Sequence, residues 1–299
     1  MIRAKQYIGV LLLFVASPLL AGTSVFSIGV RGGGQMWLPQ LAPEANGSVR
    51  GDVGMNGMLD LRYAWYGDLS SPVSAGFMLG AGVGYGAMAI KGSTSDVFRN
   101  IDYLGNPMDY RTTAHFKQSE QFAKAEFLIL FALRAGGFAV QLGPRIMLPF
   151  AATRRFEISN VDIDAYYEQY NVHVHNRVIT GAVEQPYTRL NSEKMPKWNI
   201  LVGIEAGWEW PLGRNANTIG LQAYADIGLW NAYKAAPYTR LLDVAPITDA
   251  ANPSAKVTVG SGESVVGFYN YLDFGLRLYY AFSVSSSKRH RHVRTGYRR

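Results

Sequence analysis

The feature that most constrains this chain is an alternation of apolar and polar residues with a period of two, repeated in eight stretches. Successive side chains of a β-strand point to opposite faces, so this period predicts strands with one apolar and one polar face. The composition agrees, because 32 glycines and 13% aromatic residues favour strands over helices. The eight predicted strands are Val25–Leu38, Arg50–Tyr66, Val73–Ile90, Glu120–Arg134, Phe138–Ala151, Lys197–Trp210, Thr218–Trp230 and Val266–Phe282.

The connections between these strands alternate in length. Short links follow the second, fourth and sixth strands, a modest loop follows the first, and long loops occupy about residues 91–119, 152–196 and 231–265. Short turns at one end and long loops at the other are typical of outer-membrane barrels, whose turns face the periplasm. Most of the strands exceed the ~9–11 residues that cross the hydrocarbon. We therefore predict an all-β fold, a closed antiparallel up-and-down transmembrane barrel of about eight strands, or ten if the third loop (152–196) joins the wall.

Alternation alone leaves two arrangements open, because a soluble barrel turns its apolar face inward and a membrane barrel turns it to lipid. The aromatic residues favour the membrane barrel. Large aromatics fall at one level near the turn ends of most strands, which is typical of the girdle at a membrane interface. They are Phe26, Trp65, Tyr66, Phe138, Trp208, Trp210, Tyr280 and Phe282.

The polar face carries six cations and six carboxylates, which this arrangement places in the lumen. An eight-stranded barrel has room inside only for its own side chains, so we expect these charges to pair and plug the lumen. A gated channel or a catalytic pair of carboxylates is the alternative. The predicted lumen charges are Arg31, Asp60, Arg62, Lys124, Glu126, Arg134, Arg145, Glu205, Glu209, Asp226, Asp273 and Arg277.

The last predicted strand resembles the assembly signal of outer-membrane barrels, a polar residue and a glycine followed by two spaced apolar or aromatic positions. Here these are Asp273, Gly275, Leu278 and Tyr280, followed by Phe282. The chain is similar to the small OmpA- and OmpX-like barrels, and its glycine-rich, aromatic-rich style resembles outer-membrane proteins of Bacteroidetes-type, Gram-negative bacteria. The resemblance implies insertion by the outer-membrane assembly machinery and contact with outer-membrane lipids. Such barrels usually end at the terminal aromatic, whereas this chain continues to Arg299.

The two ends differ from the barrel domain, which we place at residues 23–284. Residues 1–22 combine Arg3 and Lys5 with a short apolar run and small residues, which predicts a signal peptide and not a retained anchor. Residues 285–299 hold six Lys or Arg and no carboxylate, which predicts a basic periplasmic tail that is disordered or contacts an anionic partner or lipid. The net charge of +7 therefore reflects the ends, and nucleic acid is not an expected partner.

Enzyme motifs are weak in this chain. His173 and His175 lie two apart near Asp162 and Asp164, which makes them a weak candidate metal pair, although two ligands make no site and an exposed hairpin explains the spacing. His115 stands alone in another predicted loop. We find no Ser-His-Asp arrangement and no nucleotide-binding glycine motif, and we predict no cofactor.

The loops rich in Tyr, Asp and Arg suit recognition of an extracellular ligand, with a solvated cap as the alternative. The favoured function is a non-enzymatic barrel that anchors surface loops for recognition or adhesion, or that supports envelope integrity. The runner-up is a lipid- or peptide-hydrolysing barrel enzyme or a narrow channel.

Overall fold

The computed structural model describes residues 23–67, 72–101, 105–175, 189–192, 197–212, 217–232, 242–244, 257–259 and 265–283. Eight of its strands form a closed ring in the order β1, β2, β3, β4, β5, β8, β9, β12, and β12 pairs back with β1. Every pairing in the ring is antiparallel. The strands are β1 Thr23–Leu41, β2 Gly47–Tyr66, β3 Val73–Ile101, β4 Pro107–Ala135, β5 Phe138–Tyr167, β6 Val172–His175, β7 Arg189–Ser192, β8 Asn199–Leu212, β9 Asn217–Gly228, β10 Leu242–Val244, β11 Val257–Val259 and β12 Val266–Ser283.

The ring confirms the predicted closed antiparallel barrel of eight strands. The seam between first and last strand is regular, with paired residues from Val25 and Ser283 up to Gln40 and Phe268. The short connections lie where the sequence places them, and the tightest is the turn between β4 and β5. Its Gly136 has φ of +59°, a left-handed conformation that glycine adopts without a steric penalty. No helix among the described residues has the length and apolar character needed to span a membrane.

The prediction of a long loop at residues 91–119 is wrong, because most of these residues form strand. Strand β3 continues to Ile101 and β4 begins at Pro107, so the connection itself is short. The third loop is also shorter than predicted, since β5 continues to Tyr167. His115 consequently lies within β4, opposite Ser93 of β3, and not in a loop.

The reason for this error is that the apolar face changes sides along the strand. Near the turns the outward residues are apolar, as Phe127 and Ile129 of β4 are. Farther along β4 the outward positions hold Lys117 and His115, while Phe116 is buried on the inner face. The sequence prediction assumed that the apolar residues of a strand stay on one face. It therefore ended the strands at this inversion.

The third loop adds two short strands to the sheet outside the ring, β6 and β7, which both pair with β5. The third loop was also expected to form a hairpin of Tyr170–His175 against Val178–Val183; β6 covers most of the first arm but pairs with β5, and the second arm lies outside the described residues. The small ladder of β10 and β11 stands apart from the barrel sheet. The predicted signal peptide and basic tail also lie outside the described residues.

Candidate functional site: the charged interior of the barrel

The barrel interior holds a continuous chain of ten charged side chains in which cations and carboxylates alternate. Ion pairs join every neighbour in this chain, and none of its members is more than 2% exposed. Seven of the eight wall strands contribute to it, since only β3 supplies no member. We call it the ion-pair chain, and it runs Arg277, Asp60, Arg62, Glu205, Arg145, Asp226, Arg31, Glu126, Lys124, Asp273.

Arg62 is the most connected cation of the half of the chain nearer the turns. Its Nη1 and Nη2 donate to the two carboxylate oxygens of Glu205 at 2.6 and 2.9 Å, a bidentate contact. Its Nε and Nη2 also donate to Asp60 at 3.1 and 3.2 Å, and Nη1 donates to Gln141 at 2.8 Å. Arg277 approaches the same Asp60 through Nη2 at 2.6 Å and Nε at 2.9 Å. Asp60 therefore pairs with Arg62 and Arg277, and Glu205 pairs with Arg62 and Arg145.

The half of the chain nearer the loops is built around Arg31 and Lys124. Arg31 contacts Asp226 and donates to Glu126 at 3.0 Å, and its guanidinium lies 3.8 Å from the centre of the Tyr224 ring. Lys124 bridges Glu126 at 2.9 Å and Asp273 at 3.0 Å. Its ammonium also donates to the hydroxyl of Tyr271 at 2.7 Å.

The inner face of β3 makes room for these long side chains. It carries glycine at positions 80, 82 and 84, opposite Arg62, Asp60 and Met58 of β2. A Cβ atom added at Gly80 would lie 2.8 Å from Cγ of Arg62, which is closer than real Cβ contacts come. Glycine at this site is therefore required by the arginine that lies across it.

Two further ion pairs flank the chain, one toward each end of the barrel. Toward the turns, Arg134 pairs with Glu209, which also accepts a hydrogen bond from Tyr279. Toward the loops, Nε of Arg154 donates to Glu120 at 2.8 Å. Together with the ion-pair chain, these two pairs bring the ion-paired groups described here to seven cations and seven carboxylates.

Glu120 and Arg154 were missed in the sequence analysis. Glu120 shares its phase along β4 with Lys124 and Glu126, so that signal was available in the sequence. Arg154 was hidden by a register irregularity in the pairing of β4 with β5 at Ala123 and Lys124, beyond which the inner face of β5 changes from odd to even positions.

Apolar side chains close the interior on both sides of the charges. Toward the turns, one buried cluster includes Met78, Leu128 and Leu130. Toward the loops, a larger one includes Trp37, Phe116, Phe122, Phe156 and Tyr269. The indole nitrogen of Trp37 donates to Glu120 at 3.0 Å and so joins the second cluster to its neighbouring ion pair. The charged layer thus lies between two apolar layers.

The structure places all twelve predicted lumen charges on the inner face of the wall. Ten of them form the ion-pair chain, and Arg134 and Glu209 form the flanking pair nearer the turns. The polar groups that complete the network include amides and phenols that the sequence analysis did not single out. They are Gln35, Asn56, Gln141, Tyr224, Tyr271 and Tyr279.

The residues of the predicted assembly signal occupy both faces of β12. Asp273 lies inside, while Leu278, Tyr280 and Phe282 are exposed on the outer wall. Gly275 stands directly opposite Gly33 across the seam. A Cβ atom at Gly275 would lie 2.7 Å from the Cα of Gly33, so the two strands approach closely there.

Most of the predicted aromatic girdle lies on the outer wall at the turn end. Its rings contact one another across neighbouring strands, as Phe26 does with Phe282 and Phe138 with Trp208. Tyr66 does not belong to this set, because it faces inward, is only 2% exposed, and lies against the guanidinium of Arg134. Tyr66 does lie near the turn end, as predicted, but it belongs to the even-numbered residues of β2, which face inward.

The histidine pair lies on β6, beside the far end of β5. Nδ1 of His173 lies 3.2 Å from a carboxylate oxygen of Asp164, and its ring lies 4.7 Å from the centre of the Tyr166 ring. His175 stands in register with Asp164. Within the described ranges, no group of three or more His, Cys, Asp or Glu side chains could hold a metal ion.

Comparisons with known proteins give little for this chain. No family model matches the sequence, and no curated protein matches it. Among solved structures, the outer membrane protease OmpT from Escherichia coli is 10% identical, with 88% of this chain and 98% of that chain covered and a TM-score of 0.26. The translocator domain of the autotransporter NalP from Neisseria meningitidis is 9% identical, with coverages of 93% and 95% and a TM-score of 0.18. These likenesses are too slight to assign a function, and neither protein is an OmpA- or OmpX-like barrel.

Proposed function

We propose that this protein is an integral outer-membrane β-barrel of a Gram-negative cell, with a lumen plugged by ion pairs and with surface loops held outside the cell. The observation that carries the proposal is that the wall is inverted relative to a soluble barrel. Fourteen ion-paired groups lie on the inner face, whereas the outer wall exposes large apolar side chains such as Val30, Leu59, Phe127 and Leu276. A continuous apolar exterior of this kind is stable in lipid and aggregates in water.

The height of the apolar exterior agrees with a bilayer. On β4 the outward positions from Leu133 to Ala123 carry no charge and span ten residues. At ~3.4 Å per residue and a strand tilt of ~45°, this stretch is about 25 Å tall. This height matches that of the apolar band of known outer-membrane barrels.

The inversion of the apolar face marks where this band ends. Above Ala89 of β3 and Ser119 of β4, the next outward residues are Lys91 and Lys117, and inner positions such as Ile90 and Phe116 are apolar. A wall that is apolar outside below this level and apolar inside above it is expected if lipid gives way to water there. Short turns then face the periplasm, and the extended parts of β3, β4 and β5 project outward from the cell.

We assign the projecting sheet to recognition, adhesion or envelope support, and the ion-pair chain to closing the lumen. The projecting strands carry exposed polar side chains, including the Arg99 and Glu168 ion pair at 2.6 Å. A narrow channel would need an aqueous path through the barrel, which paired charges between two apolar layers oppose. The resemblance to OmpA- and OmpX-like, Bacteroidetes-type barrels and insertion by the outer-membrane assembly machinery remain part of this proposal.

Membrane fractionation tests this proposal directly. The native protein should sediment with outer membranes, resist carbonate extraction, and migrate faster on a gel unboiled than boiled, because a closed barrel has no free edge at which to unravel. In a planar bilayer it should give no steady conductance. A soluble protein whose mobility does not change on boiling would overturn the membrane assignment. Large single-channel currents would overturn only the plug.

A further inference from the structure

The outer wall carries a row of cations where the apolar band ends on the loop side. Arg50 of β2, Lys91 of β3 and Lys117 of β4 are direct cross-strand partners, so three like charges stand side by side. All three are exposed. Like charges directly opposite each other destabilise a sheet unless something neutralises them. We call these three residues the cation row.

The carboxylates near the cation row neutralise only part of it. Asp52 pairs with Lys91 at 2.5 Å, and Glu157, in register with Lys117, pairs instead with Arg155 at 2.5 Å. Neither Arg50 nor Lys117 forms an ion pair with any residue that the structure describes. Two cations at this level therefore remain available to an external anion.

Hydrogen-bonding groups lie one step farther out on the same three strands. Ser48, Ser93 and His115 form the next cross-strand row, and the two serine hydroxyls lie 3.2 Å apart. These residues and the cation row together line a cleft of about 500 Å³. Hydroxyl and imidazole groups beside cations are suited to the oxygen atoms of a phosphate.

An apolar groove lies below the cation row on the same side of the barrel. It is an open depression of about 560 Å³, and its lining includes the outward residues Gly57, Val83, Tyr85 and Phe150. Tyr85 precedes Lys91 by six residues of β3, which is ~20 Å along the strand and ~15 Å in height at the usual tilt. That height is about one leaflet of a ~30 Å hydrocarbon core.

We propose that this side of the barrel binds a phosphorylated lipid of the outer leaflet, with the phosphate on the cation row and an acyl chain in the groove below. The inference rests on the membrane placement proposed above. It accounts for the unneutralised cations, for their position at the upper edge of the uncharged band, and for the groove at acyl-chain depth. A soluble anion would use the cleft but would have no need of the groove.

The test uses the full chain folded in a neutral detergent and native mass spectrometry of bound lipid. The probes are dimyristoyl phosphatidic acid, which carries a phosphate monoester, and dimyristoyl phosphatidylcholine, which has the same chains and no net charge. Heat-modifiable migration is checked first for every variant, so that a failure to fold is separated from a failure to bind. We expect the unmutated barrel to retain phosphatidic acid preferentially.

The decisive variant is Arg50→Gln combined with Lys117→Gln, because neither residue has a carboxylate partner whose loss would confuse the result. It should weaken phosphatidic acid binding about thirtyfold, equivalent to ~2 kcal/mol for two cations at a membrane surface, and leave phosphatidylcholine unchanged. The control is Arg99→Gln with Arg111→Gln, which also removes two exposed cations, here from the projecting sheet. Arg99 pairs with Glu168, which does not line the cleft, so the control should change neither affinity.

A groove variant tests the acyl chain separately. An added Cβ at Gly57 meets nothing within 4 Å, so Gly57→Leu fills the groove without strain and should weaken both lipids by a similar factor. Equal binding of both lipids by the unmutated barrel, or an equal loss in the control pair, would overturn the inference. So would displacement of the lipid by inorganic phosphate or by an acidic peptide, which would indicate a soluble anion or a protein partner. A heat-modifiable barrel with no lipid preference would leave the membrane assignment intact, whereas a soluble protein would remove both.

Discussion

Arg62→Met is the substitution that most directly tests whether the interior charges stabilise the barrel as a connected network. The change keeps an unbranched side chain that reaches about as far as Nε of the arginine, and it removes the charged guanidinium group. It deletes the bidentate contact with Glu205 and the contact with Asp60. Neither carboxylate is left entirely alone, because Asp60 keeps Arg277 and Glu205 keeps Arg145.

The expected cost follows from this partial loss. Removing one partner of a buried ion pair typically destabilises a protein by about 3–5 kcal/mol, since the other charge stays buried and uncompensated. Because each carboxylate here retains one cation, we expect the lower end of that range, ~3 kcal/mol. Replacing Glu205 with Gln in the same protein removes the surplus negative charge, so the double variant should recover part of this loss.

Urea unfolding in phosphatidylcholine vesicles, followed by tryptophan fluorescence, measures the free energy of unfolding. Arg111→Met is the matched control, because Arg111 is exposed on the projecting part of β4, and its cost should stay within ~0.5 kcal/mol. If Arg62→Met costs no more than Arg111→Met, the ion-pair chain does not stabilise the barrel. If the double variant is less stable than Arg62→Met by the full cost of losing Glu205, the two residues are not coupled.

Three further predictions concern the wall and the end of the chain. Tyr280→Arg should cost ~1 kcal/mol near the interface and Leu276→Arg ~2–4 kcal/mol nearer the midplane, measured as unfolding free energies in vesicles; equal costs would contradict the proposed depth. Gly80→Val should destabilise the barrel by ~1–3 kcal/mol because its side chain meets Arg62, whereas Gly57→Val, on the open outer face, should be close to neutral in the same urea titration. Deletion of residues 285–299 should leave heat-modifiable migration unchanged, and loss of that behaviour would show that the tail is needed for folding.

The wall of the barrel was predictable from the sequence because its two faces meet different surroundings over many residues. Residues such as Leu276 and Arg277 belong to opposite faces, and period two separates them without further information. The placement of each lumen charge on the inner face followed from the same phase. Which cation pairs with which carboxylate did not, because that depends on how strands far apart in the chain face each other across the lumen.

The extensions of β3, β4 and β5 could not be predicted by the same means. Beyond Lys91 and Lys117 both faces contain small or polar residues, and the apolar phase moves to the inside. The pairing irregularity near Lys124 then shifts the phase of β5, which concealed Arg154. The first error arises where the apolar residues change faces and the second where the strand pairing is irregular, and a single periodic pattern carries no information about either.

The closing seam of the barrel has a consequence for how the chain is assembled. Both ends of the ion-pair chain, Arg277 and Asp273, lie on β12, which closes the ring by pairing with β1. A one-residue slip of β12 would turn both charges toward the outer wall, and a two-residue slip would move each ~7 Å from its counterion. Only the native register satisfies both ends, so the interior charges favour that register of the closing seam over either slip.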